Sequence, residues 1–157
     1  MVAHPPCKRW GRWWGADGSA SPGNDNGLFE LALNQVRQWG GVLEHPAHTH
    51  AWEKFNIRRP EEGCWSECWC GGWTTEVAQR NYGHRARKLT WLYASPGEKP
   101  VDLDWSKPAQ QTVYLCAPGR RKGKPGRKVE LMGAVEARVT PLPFAKLLIE
   151  IARGRGS

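Results

Sequence analysis

Residues 28–46 read LFELALNQVRQWGGVLEHP, and the fold turns on them. Leu28, Ala32, Val36 and Trp39 fall at i, i+4, i+8 and i+11, with Phe29 and Leu33 flanking, a spacing that predicts one apolar face of a helix. Asn26 or Asp25 stands where a helix is capped, and Gly40-Gly41 where one is closed. Val42-Leu43 then read as a short buried strand that stops at Glu44-His45-Pro46. Upstream, Val2-Ala3 suffice only for the end of another strand, because Pro5 and Pro6 cannot continue a ladder and disfavour helix before them. A rigid turn is left, with Cys7 fixed in it. Strand, helix, strand is a crossover unit, and its right-handed form opens both strand ends on one edge of the sheet, where ligands gather. Cys7 and Glu44 are therefore expected beside each other at one cleft.

Outward from this unit the pattern is mixed. Residues 15–27 are a loop by composition, and THAWEKF (49–55) reads as a short helix. Residues 57–72 are irregular. TTEVAQ (74–79) and KLTWLYA (88–94) alternate as strands do and flank RNYGHRAR, which predicts an antiparallel hairpin; QTVYLCA (111–117) is a further strand. GRRKGKPGRK (119–128) carries six positive charges and three glycines, a mobile basic loop that is either a solvated segment or a phosphate contact. TPLPFAKLLIEIARG (140–154) is a helix with Thr140 as cap, Pro141 in the first turn and Phe144, Leu147, Leu148 and Ile151 as its apolar stripe. No internal repeat is present. The expectation is a single α/β domain over residues 1–157.

Composition bounds the partners. The chain has 23 Lys plus Arg against 15 Asp plus Glu, a net charge of +8, which favours a polyanion. Ten tryptophans are many for 157 residues. Trp10, Trp13 and Trp14 interleave with Lys8, Arg9 and Arg12, a mixture that suits stacked bases and phosphates as well as it suits rings capping a core. No stretch approaches the ~20 apolar residues of a membrane span, and the first residues carry no signal-peptide pattern. Five cysteines, three of them in one short run, argue against a disulfide scaffold and for a reducing cytoplasm.

A thiol at one strand end and a carboxylate at the next have a joint chemistry. A thiolate adds to carbon 6 of cytosine and makes carbon 5 nucleophilic, and an acid group bonded to ring nitrogen 3 and the amino group eases that addition. The base must leave its duplex to be reached. Cys7 is the candidate nucleophile, with Lys8 and Arg9 expected to lower its pKa, and Glu44 the partner for the ring edge.

VAHPPC, GGVLEHPAHTHAW, YGHRARKLTWLYA and RVTPLPFAKLLIEIA, in this order and spacing, resemble the later part of the DNA cytosine-5 methyltransferases, especially compact forms of phages and prophages. The resemblance implies an incomplete Rossmann-like methyltransferase sheet, Cys7 as nucleophile and Glu44 as the base-edge glutamate. It places Lys88 on a basic position, with Arg85 and Arg87 close by, and Thr140-Pro141 at the start of the late helix. With the cations read from charge alone, Lys8, Arg9, Arg12, Arg120, Arg121 and Lys122, the expected DNA contacts also include Arg85, Arg87 and Lys88, in the cytoplasm of a bacterial host cell. His45 replaces the family's usual Asn, and Thr90 stands in for a second basic residue. S-adenosylmethionine is the implied methyl donor, but its Gly-rich turn is not in this sequence; the Gly-x-Gly at 154–156 follows no strand. Three readings stay open: completion by a second chain or a homo-oligomer, a non-catalytic DNA-binding or anti-restriction protein on the same scaffold, or other chemistry with the same Cys and Glu.

Two lesser sites compete. Cys64, Cys68 and Cys70, with His48 or His50 upstream, have the donor types of a zinc site, but the spacing departs from the usual knuckle and favours buried or reduced cysteines. His4 is a base for Cys7 in a hydrolase-like pair only if a third group orients it. His84 reads as a turn residue or a phosphate contact. Tyr82 and Trp91 read as core, or as walls of a base pocket.

Overall fold

The computed structural model describes residues 1–11, 23–95, 97–107, 113–115 and 130–154. The chain is mixed α/β, built on a five-stranded sheet in the order β1-β2-β5-β4-β3. Strand β1 is Val2–Ala3, and it pairs in parallel with β2, Gly41–Pro46. On its other side β2 pairs antiparallel with β5, Leu89–Ser95, which pairs with β4, Trp73–Ala78. The predicted hairpin is therefore present, its connection opening in a 3-10 turn, Gln79–Tyr82. Strand β3, Ser66–Glu67, forms an edge within the segment read as irregular.

Helix α1, Leu28–Trp39, matches the predicted span, but its buried face is Phe29, Leu33 and Val36, while Leu28 and Trp39 face outward. The apolar stripe is set one residue over from the expected one because Phe29 is drawn between Trp10, Phe55 and His45. Of the two candidate caps Asp25 acts. Its Oδ1 accepts the Gly27 N–H at 3.1 Å and its Oδ2 the Phe29 N–H at 2.8 Å. Strand β2 runs two residues beyond Glu44, since His45 packs inward and Pro46 still pairs with Thr90. Helix α2, His50–Lys54, is capped by the Thr49 hydroxyl.

Alternation along the strands separates two cores. Ala3, Leu43, Trp91 and Tyr93 face α1 and α2, with Trp52 and Phe29 fully buried among them. Val42, Leu92 and Ala94 face α4, Leu142–Ala152, which buries Phe144, Leu148 and Ile151. Thr140 does not cap α4: the helix opens at Pro141, whose carbonyl accepts the Ala145 N–H, and no side chain caps it. A small parallel sheet of β6, Val113–Leu115, and β7, Glu130–Met132, is followed by the short helix α3, Ala134–Arg138; neither β7 nor α3 was predicted. The basic loop 119–128, with Arg120, Arg121 and Lys122, lies outside the described residues, as do Arg12, Trp13 and Trp14. Among the described residues no helix is long and apolar enough to cross a membrane.

Candidate functional site

β1 and β2 run side by side, with Val2 opposite Val42 and Ala3 opposite Leu43. One step further His4 meets Glu44, and both side chains emerge on the α4 face. His4 Nδ1 donates to Glu44 Oε2 at 2.7 Å. Gln79, fully buried at the end of β4, donates from Nε2 to the other carboxylate oxygen at 3.3 Å and to the Thr90 hydroxyl at 2.9 Å. Thr90 in turn donates to the Lys88 carbonyl. The carboxylate is thus held from both sides, and its side chain is only 13% exposed. Thr90 serves as a buried link in this chain of hydrogen bonds.

Beyond β1 the two prolines turn the chain, and the Cys7 carbonyl accepts the N–H groups of Trp10 and Gly11 at 3.1 and 2.7 Å. Trp10 pins that turn. Its ring is buried against Phe29 and Phe55, its Nε1 donates to Asp25 at 2.7 Å, and its carbonyl accepts from His50 and Thr49. Of the two readings of this tryptophan, the core one holds.

Cys7 itself is exposed and unbonded to other cysteines. Its surroundings push the thiol pKa up, chiefly by desolvation, with the Glu44 charge acting in the same sense. Its own backbone N–H, Lys88 and Arg138 oppose the rise. This corrects the expected lowering by Lys8 and Arg9: the cations that bear on the sulfur come from the start of β5 and from α3. Lys88 is half-buried, its backbone at φ +35°, a left-handed conformation costly for a side chain of this kind. Desolvation lowers its pKa, opposed by Glu44 and Cys7, and its Nζ donates to the Val139 carbonyl at 3.3 Å. Cys7, Glu44 and Lys88 are therefore one electrostatic cluster at the carboxyl end of β1 and β2, as the crossover argument required.

The remaining predicted contacts scatter. Arg85 pairs with both Glu130 and Glu136, so carboxylates occupy its guanidinium. Arg87 is half-buried beside Glu76 and Trp105, and Lys8 and Arg9 lie in the turn after Cys7. His84 is the turn residue of the two readings, buried, with Nδ1 against the Ala86 backbone. Trp91 is core, and Tyr82 packs on Phe144 while its hydroxyl accepts the Asp104 N–H. A cavity of about 300 Å³ lies at the opposite end of the sheet, where Gly41 pairs with Ser95, and contains neither Cys7 nor Glu44.

Cys68 and Cys70 form a disulfide, which corrects the expectation that this run is reduced. The turn closed by the Gly71 N–H on the Cys68 carbonyl has Trp69 and Cys70 as its central residues, and the two cysteine Cα atoms lie 5.1 Å apart. Sulfurs bonded to one another are not thiolate ligands, so the three-cysteine zinc alternative loses two of its donors. Cys64 stands apart, 3.9 Å from the Ser66 hydroxyl.

Sequence reasoning missed Gln79 and the contact of His4 with Glu44. The signal was available: VAH (2–4) laid beside VLE (42–44) in a parallel pair places His4 next to Glu44. Compared with models of protein families, with curated proteins and with solved structures, the chain shows no match.

Proposed function

We propose that this chain is a DNA-binding protein of the DNA cytosine-5 methyltransferase type that sets Cys7 and Glu44 around a cytosine turned out of its duplex. One observation carries the reading. A thiol in the turn after β1 and a largely enclosed, doubly held carboxylate at the end of the adjacent parallel β2 act on one another electrostatically, and a half-buried lysine bears on both. In this reading the five-stranded sheet is one side of a Rossmann-like methyltransferase sheet, the basic residues meet phosphates, and the setting is the cytoplasm of a bacterial host. Cys7 Sγ adds to carbon 6, Glu44 bonds the ring edge, and Lys88 offsets the charge that develops on sulfur and carboxylate. Among the described residues no glycine-rich turn follows a strand to open a helix: Gly27, which opens α1, follows a loop. The residues described do not form a cradle for S-adenosylmethionine, and no step here runs through it; a second chain or a homo-oligomer is its natural source.

A second reading rests on the raised thiol. A sulfur kept protonated by its surroundings is a poor nucleophile, which suits a non-catalytic DNA-binding or anti-restriction protein on the same scaffold. DNA carrying 5-fluorocytosine separates the two. The catalytic reading expects a covalent adduct, with or without S-adenosylmethionine, that Cys7→Ser abolishes. Binding without an adduct under either condition leaves the non-catalytic reading, and absence of DNA binding overturns both.

A further inference from the structure

Glu44 must give a proton to the base and recover one, and nothing said so far supplies it. Five groups belong to the cluster around its carboxylate. Gln79 orients one oxygen but has no proton to give up. Lys88 is engaged by the Val139 carbonyl, and Arg138 bears on the cluster as a fixed charge. Cys7 is the nucleophile. His4 differs from all of these. Its Nδ1 lies 2.7 Å from Oε2, and its side chain is 43% exposed against 13% for Glu44, so the ring spans from the enclosed carboxylate to water.

We propose that His4 is the proton relay of this site, passing a proton from solvent at Nε2 through Nδ1 to Glu44. The proposal rests on the base-pocket reading above. Cys7 loses its proton to solvent, and its sulfur forms a bond to carbon 6. The C5=C6 pair becomes a C4=C5 bond, and the C4=N3 pair moves to nitrogen 3, which is protonated through Glu44: the carboxylate takes the Nδ1 proton of His4 at Oε2 and hands it on, while Nε2 takes one from water. One proton leaves and one enters, and elimination of the sulfur runs the relay backwards. An Nδ1–H···Oε2 contact also selects the tautomer that leaves Nε2 as the free nitrogen of this partly exposed ring.

Addition at carbon 6 makes the hydrogen on carbon 5 exchangeable, so tritium release from DNA bearing [5-³H]cytosine reports it without a methyl donor. The full chain is compared with His4→Asn, which keeps a donor where Nδ1 stands but cannot relay, and with His4→Ala. Both variants are expected to release tritium at least about tenfold more slowly. A His4→Asn rate equal to that of the unaltered chain would reduce His4 to orientation and overturn the relay. No release from the unaltered chain overturns the base-pocket reading instead. An independent readout then remains: ¹⁵N spectra of the His4 ring are expected to show the Nδ1–H tautomer at alkaline pH, lost in Glu44→Gln. An Nε2–H ring in the unaltered chain would overturn the relay whatever the chemistry.

Discussion

His45 is the residue whose removal tests the electrostatics of the core most directly. Its ring is fully buried between Phe29, edge-on at 5.2 Å, and Trp52, and neither nitrogen has a partner in bonding geometry. Desolvation lowers its pKa to about 4, despite the opposing Glu44 and Asp25 charges and the nearby Pro6 carbonyl. The sign follows from linkage. Above about pH 6.5 neither folded nor unfolded chain protonates this ring, and its contribution to stability is intact. As the pH falls from there towards 4 the unfolded chain takes up the proton and the fold resists it, at about 1.4 kcal/mol per unit. The loss is about 2 kcal/mol at pH 5 and levels at about 3 kcal/mol below pH 4. His45→Leu keeps the volume near enough and removes both orphan nitrogens. Urea unfolding of both proteins from pH 8 to pH 4.5 should give stabilities within about 1 kcal/mol at the alkaline end. The variant should then gain about 2 kcal/mol over the unaltered chain by pH 5. Because every other titrating group is common to both, the difference isolates this ring. Parallel pH curves would mean that His45 is solvated or bonded after all, and the account of the β2–α1 packing would fall with it.

Removal of the charges that act on the sulfur follows the same logic. Lys88→Met should raise the Cys7 thiol further and Glu44→Gln should lower it, read as the midpoint of thiolate absorbance or of alkylation rate against pH; equal midpoints would dissolve the cluster. Trp10→Ala should cost about 3–5 kcal/mol in chemical denaturation. It should also make Cys7 more reactive, because the buried ring is what moors its turn; a loss under 1 kcal/mol would contradict that mooring. DNA affinity should fall steeply with salt, and neutralising Arg120, Arg121 and Lys122 together should flatten the log–log slope by up to about 3. An unchanged slope removes the basic loop from the interface.

Long-period features survived the passage from sequence to structure. The span of α1, the β4–β5 hairpin and the stripe of α4 each rest on several residues that agree in period, so one misplaced side chain does not alter the outcome. Which face of α1 is buried did not survive, because Leu28 and Phe29 are equally apolar and only the tertiary partners of Phe29 decide between them. The approach of Cys7 to Glu44 follows from parallel pairing of β1 and β2, which the strand–helix–strand order makes legible. The pKa of Cys7 could not: Lys8 and Arg9 are near in sequence, whereas Lys88 and Arg138 are near in space. Gln79 looked like the end of a strand, and its amide gained meaning only once Glu44 and Thr90 stood on either side of it. The Cys68–Cys70 bond sits in a tight turn closed by the Gly71 N–H on the Cys68 carbonyl, a local geometry that cysteine spacing alone does not impose.

Glu44 and His45 are neighbours on one strand that look in opposite directions, an acid toward the open end of the sheet and an imidazole into dry aromatic packing. Insertion or deletion of a single residue in β2 would exchange them, sealing a carboxylate among Phe29 and Trp52 and leaving the rim without its acid. Such a chain would face the cost of a buried unpaired charge. Evolutionary drift in the length of this strand is thereby penalised twice, once in folding and once in whatever chemistry the rim performs.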